Sequence, residues 1–227
     1  MNGPGSADAG TRRELPMAGQ AEVPSWRLLL TLGTAGALAG LLIVFVYQIT
    51  QPRIQAYKAE QLRLAVSEVL KGPARWDTLY VYEGELTATP SVNGAAAGLE
   101  MVFLGYDESG NRMGFAIQGA ESGFQDIIEL IFGYDPATRK LLGMKVLANK
   151  ETPGLGDKIG KDSAFIAEFD GPEVPLVGVK TGRATGAANE VDMITGATIS
   201  SRAVIGIINH QLARLGPMVD AYLREAN

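Results

Sequence analysis

Between Asp192 and Ser201 the chain reads Asp-Met-Ile-Thr-Gly-Ala-Thr-Ile-Ser-Ser, which crowds hydroxyls around a small, flexible turn. Directly after it, Ala203, Val204, Ile207, Ile208, Leu212 and Leu215 recur at helical spacing, with Gly216-Pro217 as the expected stop. Thr198 is therefore expected at or next to a helix N-cap, where a side-chain oxygen can accept free backbone N–H groups. That end of a helix also offers unpaired donors and partial positive charge, so phosphate is the ligand it suits. Gly196 allows a sharp bend, and Ala197 leaves room for a bulky group beside Thr198. An ordinary capped helix would explain the same residues, so the decision rests on the rest of the chain.

A second stretch, Asn149–Lys161, reads Asn-Lys-Glu-Thr-Pro-Gly-Leu-Gly-Asp-Lys-Ile-Gly-Lys, a glycine-rich loop entered from a strand. Its Gly154, Gly156 and Gly160 match a dinucleotide fingerprint poorly, and neither a crossover helix nor a ribose-binding acid follows. Thr185-Gly186-Ala187-Ala188 repeats the Thr-Gly-Ala triplet but carries alanine where the second threonine would stand. Lys150, Lys158 and Arg183 lie near these motifs, as charge partners for a ligand or as solvated surface.

Composition removes much other chemistry. Zero cysteines exclude disulfides, thiolate nucleophiles, cysteine-ligated iron–sulfur clusters and thioether-linked haem. His210 is the only histidine and is expected in a surface or core role, so no metal site is expected. A net charge of -5 argues against a nucleic-acid partner.

The elements that must position these residues begin in the membrane. Leu28–Tyr47 is twenty residues without a charge, long enough to cross a bilayer as a helix, with Trp26 and Tyr47 at its ends. No small-residue cleavage site follows, so an uncleaved anchor is expected rather than a signal peptide. The expected organisation is a disordered tail over 1–25, a transmembrane helix over 26–48 and one folded domain over 52–227. Cations on both sides of the span leave its orientation open, and Gly33, Gly36 and Gly40 give it small-residue packing sites. Pro52 is expected to end the span, and a second helix to run from Ile54 to Leu70. Strands are expected at Leu79–Glu83, Glu100–Gly105, Met113–Gln118, Asp126–Tyr134, Leu141–Leu147 and Pro175–Thr181, joined as antiparallel hairpins. Thr181–Val191 reads as a loop and Asp162–Phe169 as a short helix. Together these predict an α+β domain, an antiparallel sheet with flanking helices.

Three elements in this order resemble the membrane-anchored flavin subunits of ion-translocating redox complexes: the anchor running into Ile49-Thr50-Gln51-Pro52-Arg53-Ile54, the loop Glu151-Thr152-Pro153-Gly154-Leu155-Gly156, and Asp192-x-x-Thr195-Gly196-Ala197-Thr198-x-Ser200. The chain resembles the G subunit of the Rnf electron transport complex, with the C subunit of the sodium-translocating NADH:quinone reductase as a near relative. The resemblance implies FMN held covalently, by a phosphoester between its phosphate and the Thr198 hydroxyl. It implies a flavin transferase that makes this bond from FAD in a magnesium-dependent reaction and recognises the Asp192–Ser200 sequence, and it counts Asp192, Thr195, Gly196, Ala197 and Ser200 among the cofactor-binding residues. It places Glu151, Thr152, Gly154, Leu155 and Gly156 against the flavin. It further implies a redox carrier with little catalysis of its own, held in the cytoplasmic membrane among other Rnf-type subunits. Its large domain would be extracytoplasmic, and the complex would couple electron flow between ferredoxin and NAD to Na+ or H+ transport. Two other readings stand beside this one: a single-pass ligand-binding or regulatory module without flavin, and the flavin subunit of a different electron-transfer complex.

Overall fold

The structure is a computed structural model that describes residues 24–90 and 98–225. Nearly all of the expected N-terminal tail lies outside these residues. The described residues fall into two units divided between Ile54 and Gln55.

The first element, α1 (Ser25–Val69), is one uninterrupted helix of 45 residues with Pro52 inside it. Its most apolar window has a mean hydropathy of 2.3 and is entirely exposed. The expected break at Pro52 does not occur. A proline removes one backbone hydrogen bond and crowds the preceding turn, at roughly 3 kcal/mol. Here it is flanked by long helical stretches: the apolar run upstream must keep its backbone internally paired, and the last turns are pinned by buried Ala65, Val66 and Val69.

Six strands follow: β1 (Arg75–Tyr82), β2 (Glu85–Thr87), β3 (Met101–Tyr106), β4 (Arg112–Ser122), β5 (Ile127–Asp135) and β6 (Lys140–Ala148). They form an antiparallel sheet in the order β2-β1-β3-β4-β5-β6. Both faces of the sheet are covered, and alternation along the strands assigns each residue its side. Val102, Leu104, Phe115, Ile117, Leu130 and Phe132 face a core shared with the last helix, α3 (Thr198–Glu225). Phe103, Ala116 and Ile131 face the other way, onto Ala65, Val66, Val69 and Leu70 at the end of α1. Burial on both sides explains the nearly continuous apolar runs of β3 to β5.

Between the sheet and α3 lie a 3-10 turn (Gly156–Gly160), the short helix α2 (Ser163–Ala167), and strands β7 (Val177–Lys180) and β8 (Glu190–Met193). The Asp162 carboxylate caps α2 by accepting from the N–H groups of Ala164 and Phe165. β7 falls within the strand expected at Pro175–Thr181 but pairs in parallel with β8 rather than in an antiparallel hairpin, and β8, where no strand is expected, begins within the segment that reads as a loop. Four residues with two acids give a weak strand signal, although Val191 and Met193 alternate inward with Glu190 and Asp192. Gly216-Pro217 does not stop α3. Leu215 and Val219 on either side are wholly buried, and Tyr222 and Leu223 pack on the same core. Tertiary packing thus overrides the local stop signal. The chain is an α+β protein in which one N-terminal apolar helix precedes an antiparallel sheet with flanking helices.

Candidate functional site

The first turn of α3 is built so that one hydroxyl is left over. Ser201 N–H donates to the Ala197 carbonyl, which makes Ala197 the residue that caps the helix and Thr198 its first member. Alanine has no side-chain acceptor for the N–H groups of Thr198, Ile199 and Ser200, so this helix end keeps its donors available to an anion. Gly196, at φ +84°, makes the preceding bend. The neighbouring hydroxyls are occupied. Thr195 donates to the Thr181 hydroxyl at 3.2 Å, and Thr181 donates onward to the Met193 carbonyl at 2.6 Å. Ser201 Oγ accepts from Ile194 N–H at 3.1 Å. Ser200 donates to Glu151 Oε2 at 2.6 Å. Among the described residues, the Thr198 hydroxyl alone of this stretch has no partner, and it borders a cavity.

That cavity, about 360 Å3, is lined by Phe124, Glu151, Thr152, Leu155, Gly156 and Gly196 to Ser200. Three apolar side chains stand unusually open around it: Phe124 is 66% exposed, Leu155 51% and Ile199 52%. An open apolar rim next to free N–H donors suits a flat, largely apolar ring carrying a phosphate. Two larger hollows, each about 510 Å3, flank the C-terminal half of α3 around Pro136 and Asp220, and none of the sequence-predicted site residues lines them.

Glu151 ties the walls together. It is only 4% exposed. Its Oε1 accepts the N–H groups of Phe124 and Gln125, both at 3.0 Å, from the β4–β5 connection, while its Oε2 takes the Ser200 hydroxyl from α3. Burial pushes this carboxyl upward, but hydrogen bonds from Ser200 and from the N–H groups of Gln125, Asp126 and Phe124 outweigh it and hold the group below the usual glutamate range. The packing leaves no room for a side chain at position 156, where a Cβ would lie 2.6 Å from Glu151 Oε2 and 2.9 Å from Ser200 Oγ.

The rest of the loop is a turn held from within. Leu155 N–H donates to the Thr152 carbonyl across Pro153-Gly154, and Gly154 sits at φ +78°, the features of a type II turn. Asp157 Oδ1 accepts Gly154 N–H at 2.7 Å, and its Oδ2 pairs with Lys161 at 2.6 Å. The Lys161 ammonium, against a smaller opposing effect of burial and helped by Gly154, keeps the Asp157 carboxyl below its ordinary range. Thr152 donates its hydroxyl to the Gln125 side-chain oxygen at 3.1 Å.

Of the residues singled out from the sequence, Glu151, Thr152, Leu155, Gly156, Gly196, Ala197, Thr198 and Ser200 line one cavity. Gly154, Asp192 and Thr195 are not in its lining. Asp192 lies in β8 opposite Val179, with a buried carboxylate oxygen that has no hydrogen-bond partner. Phe124 and Ile199 escaped the sequence reading: an apolar residue at a turn and another beside a cap look like stray surface until the fold sets them side by side. Asp157 escaped it too, although its place after a Pro-Gly-Leu-Gly turn is a usable signal. Lys150 is paired with Asp126 at 2.9 Å, and His210 on α3 pairs with Glu121 at 2.8 Å. Lys158 and Arg183 are exposed.

The second triplet, at Thr185, has the same glycine geometry, with Gly186 at φ +87°. It is already filled. Glu190 accepts the Thr185 hydroxyl at 2.8 Å, Thr185 N–H at 2.6 Å, Gly186 N–H at 3.1 Å and Ala187 N–H at 3.4 Å. Led by the Thr185 hydroxyl, and against burial, these bonds lower the Glu190 carboxyl from its ordinary value.

Residues 123–213, which hold every part of this site, match the family model of an FMN-binding domain. In solved structures the fold resembles NqrC from Shewanella oneidensis, with a TM-score of 0.57 at 18% identity over 68% of this chain and 91% of that one. It also resembles the C subunit of the Na(+)-translocating NADH-quinone reductase from Parabacteroides distasonis, with a TM-score of 0.56 at 20% identity over 73% and 96%. By sequence, the chain is 27% identical over 185 residues to the G subunit of the ion-translocating oxidoreductase complex of Vibrio vulnificus, covering 80% of this chain and 84% of that one. The corresponding G subunit of Methanosarcina acetivorans is 30% identical over 183 residues, 81% of this chain and 90% of its own length. The chain therefore belongs to the family of G subunits of ion-translocating oxidoreductase complexes, those of the Rnf type.

Proposed function

We propose that this protein is a membrane-anchored electron carrier whose FMN is bound covalently through a phosphoester to Thr198. The observation that carries the reading is the free Thr198 hydroxyl at an uncapped helix N-terminus, beside a cavity with an apolar rim. A phosphodiester there keeps one negative charge within reach of the Thr198, Ile199 and Ser200 N–H groups. The flavin supplies the electron chemistry. The chain's own residues hold it: Phe124, Leu155 and Ile199 shield the ring, Thr152 and the Gly154–Gly156 backbone approach its edge, and Glu151 with Ser200 fixes the walls.

Attachment follows from transfer out of FAD by a flavin transferase: the Thr198 oxygen bonds to the flavin phosphate, AMP leaves, and the hydroxyl proton departs. Asp192 and Thr195, outside the cavity, fit recognition by that transferase better than contact with the ring. The apolar stretch of α1 anchors the domain in the cytoplasmic membrane, with the domain on the extracytoplasmic side. There it serves a complex coupling ferredoxin and NAD electron transfer to Na+ or H+ transport.

Co-expression of the full chain with a flavin transferase tests the reading. The expected result is gel fluorescence and an added FMN mass on the peptide containing Thr198. Unlabelled protein, or labelling that survives Thr198→Val, overturns it.

A further inference from the structure

Glu151 is a poor candidate for a direct ligand of the ring. The hydrogen bonds at its oxygens come from donors inside the protein: backbone N–H groups of the β4–β5 connection and the Ser200 hydroxyl. A carboxylate that only accepts is ionised. It is 4% exposed, yet it borders the same cavity as Thr198. Among the described residues no cation pairs with it. Of the ammonium groups near it in sequence, Lys150 is engaged with Asp126, Lys145 with Glu68 and Lys161 with Asp157, and Lys158 is exposed to solvent. Its neighbours spread its charge without cancelling it, and in so buried a place water screens that charge weakly.

We propose that the Glu151 carboxylate is a positioning residue with a second effect: its fixed negative charge in the cavity wall lowers the reduction potential of the flavin. Uptake of two electrons and one proton from an external donor leaves the ring system with one added negative charge. The Glu151 charge opposes that anion. Uptake of a second proton removes the added charge, so the same carboxylate also raises the pH at which the reduced ring loses its proton. The depressed carboxyl of Glu151 agrees with the charge being present throughout the neutral range. This inference rests on FMN occupying the Thr198 cavity.

The test uses the full-length, flavinylated protein in detergent, reduced stepwise with dithionite against reference dyes. Glu151→Gln keeps the shape and removes the charge, and its midpoint is expected to be more positive than that of the unaltered protein. Ser200→Ala keeps the charge and removes one of the donors that spread it, and its midpoint is expected to be more negative. Mere loosening of the walls would move both variants in the same direction, which overturns the proposal, as does an unchanged midpoint in Glu151→Gln. Should either variant fail to accept flavin, the unaltered protein decides. Its reduced flavin is expected to ionise at higher pH than free FMN measured alongside, and ionisation at the same or lower pH overturns the inference. Absence of flavin from the unaltered protein is a different failure, that of the FMN reading itself.

Discussion

Thr198 follows a Thr-Gly-Ala triplet and its hydroxyl is free, whereas the second triplet opens on Thr185, whose hydroxyl is held by Glu190, and is followed by Ala188, which has no hydroxyl to offer. Thr185→Val is accordingly expected to leave flavin labelling unchanged, as judged by in-gel fluorescence, while Thr198→Val abolishes it and keeps the thermal midpoint within a few degrees. Glu151→Ala strands the buried Ser200 hydroxyl and takes the acceptor from partly buried N–H groups of the β4–β5 connection, and is expected to destabilise the domain by roughly 1 to 3 kcal/mol in urea titrations. The pH dependence has a definite sign. Glu151 ionises below its ordinary value in the folded chain, so its stabilisation is complete above the usual glutamate range, about pH 4.3, and is lost as pH falls through the lowered value. Unfolding free energy should therefore decline on acidification below about pH 5, and less steeply in Glu151→Gln. An equal slope in the two proteins would remove Glu151 from the acid response.

Elements show where local signals stop being decisive. The five strands of the main sheet other than β2 could be read from their apolar runs and turn residues, as could the start of α3. Pro52 and Gly216-Pro217 are strong breakers by chemistry, but both sit inside helices. A breaker costs a fixed few kcal/mol, whereas the burial that opposes it depends on residues far away in sequence. Pro217→Ala is expected to raise the thermal midpoint, because it restores a backbone donor in a helix that already continues. Val219→Asp, which places a charge at a wholly buried position of the same helix, should unfold the domain. The site was legible to a similar degree. Motifs on contiguous residues stood out, but Phe124 joins the cavity only because the β4–β5 connection folds back onto Glu151, a contact spanning 27 residues that local spacing does not encode.

At the scale of the whole molecule, the sheet needs covers on both faces, and the second cover is the end of α1. Ala65, Val66, Val69 and Leu70 are at most 2% exposed and pack on Phe103, Ala116 and Ile131. Lys145 pairs with Glu68 and Lys71 with Asp170 along the same border. A chain beginning at Gln55 is expected to remain folded without detergent, with the far-ultraviolet spectrum of a mixed α and β protein. One beginning at Lys71 should aggregate, because it bares the apolar face those four residues cover. A soluble, cooperative fold from the shorter chain would contradict this division of labour.

The loop around Glu190 carries its own counter-ion. A phosphate approaching the Thr185 triplet meets a resident carboxylate with four donors already committed to it, and would have to evict that charge before any bond could form. At Thr198, among the described residues, no side chain holds the hydroxyl or the N–H groups of the helix end, and the Glu151 carboxylate in the cavity wall is bound to other donors. The second triplet is thus closed twice, by Ala188 in the place that corresponds to Thr198 and by prior occupation of its N–H groups, while the first keeps both its hydroxyl and its helix end open to an anion.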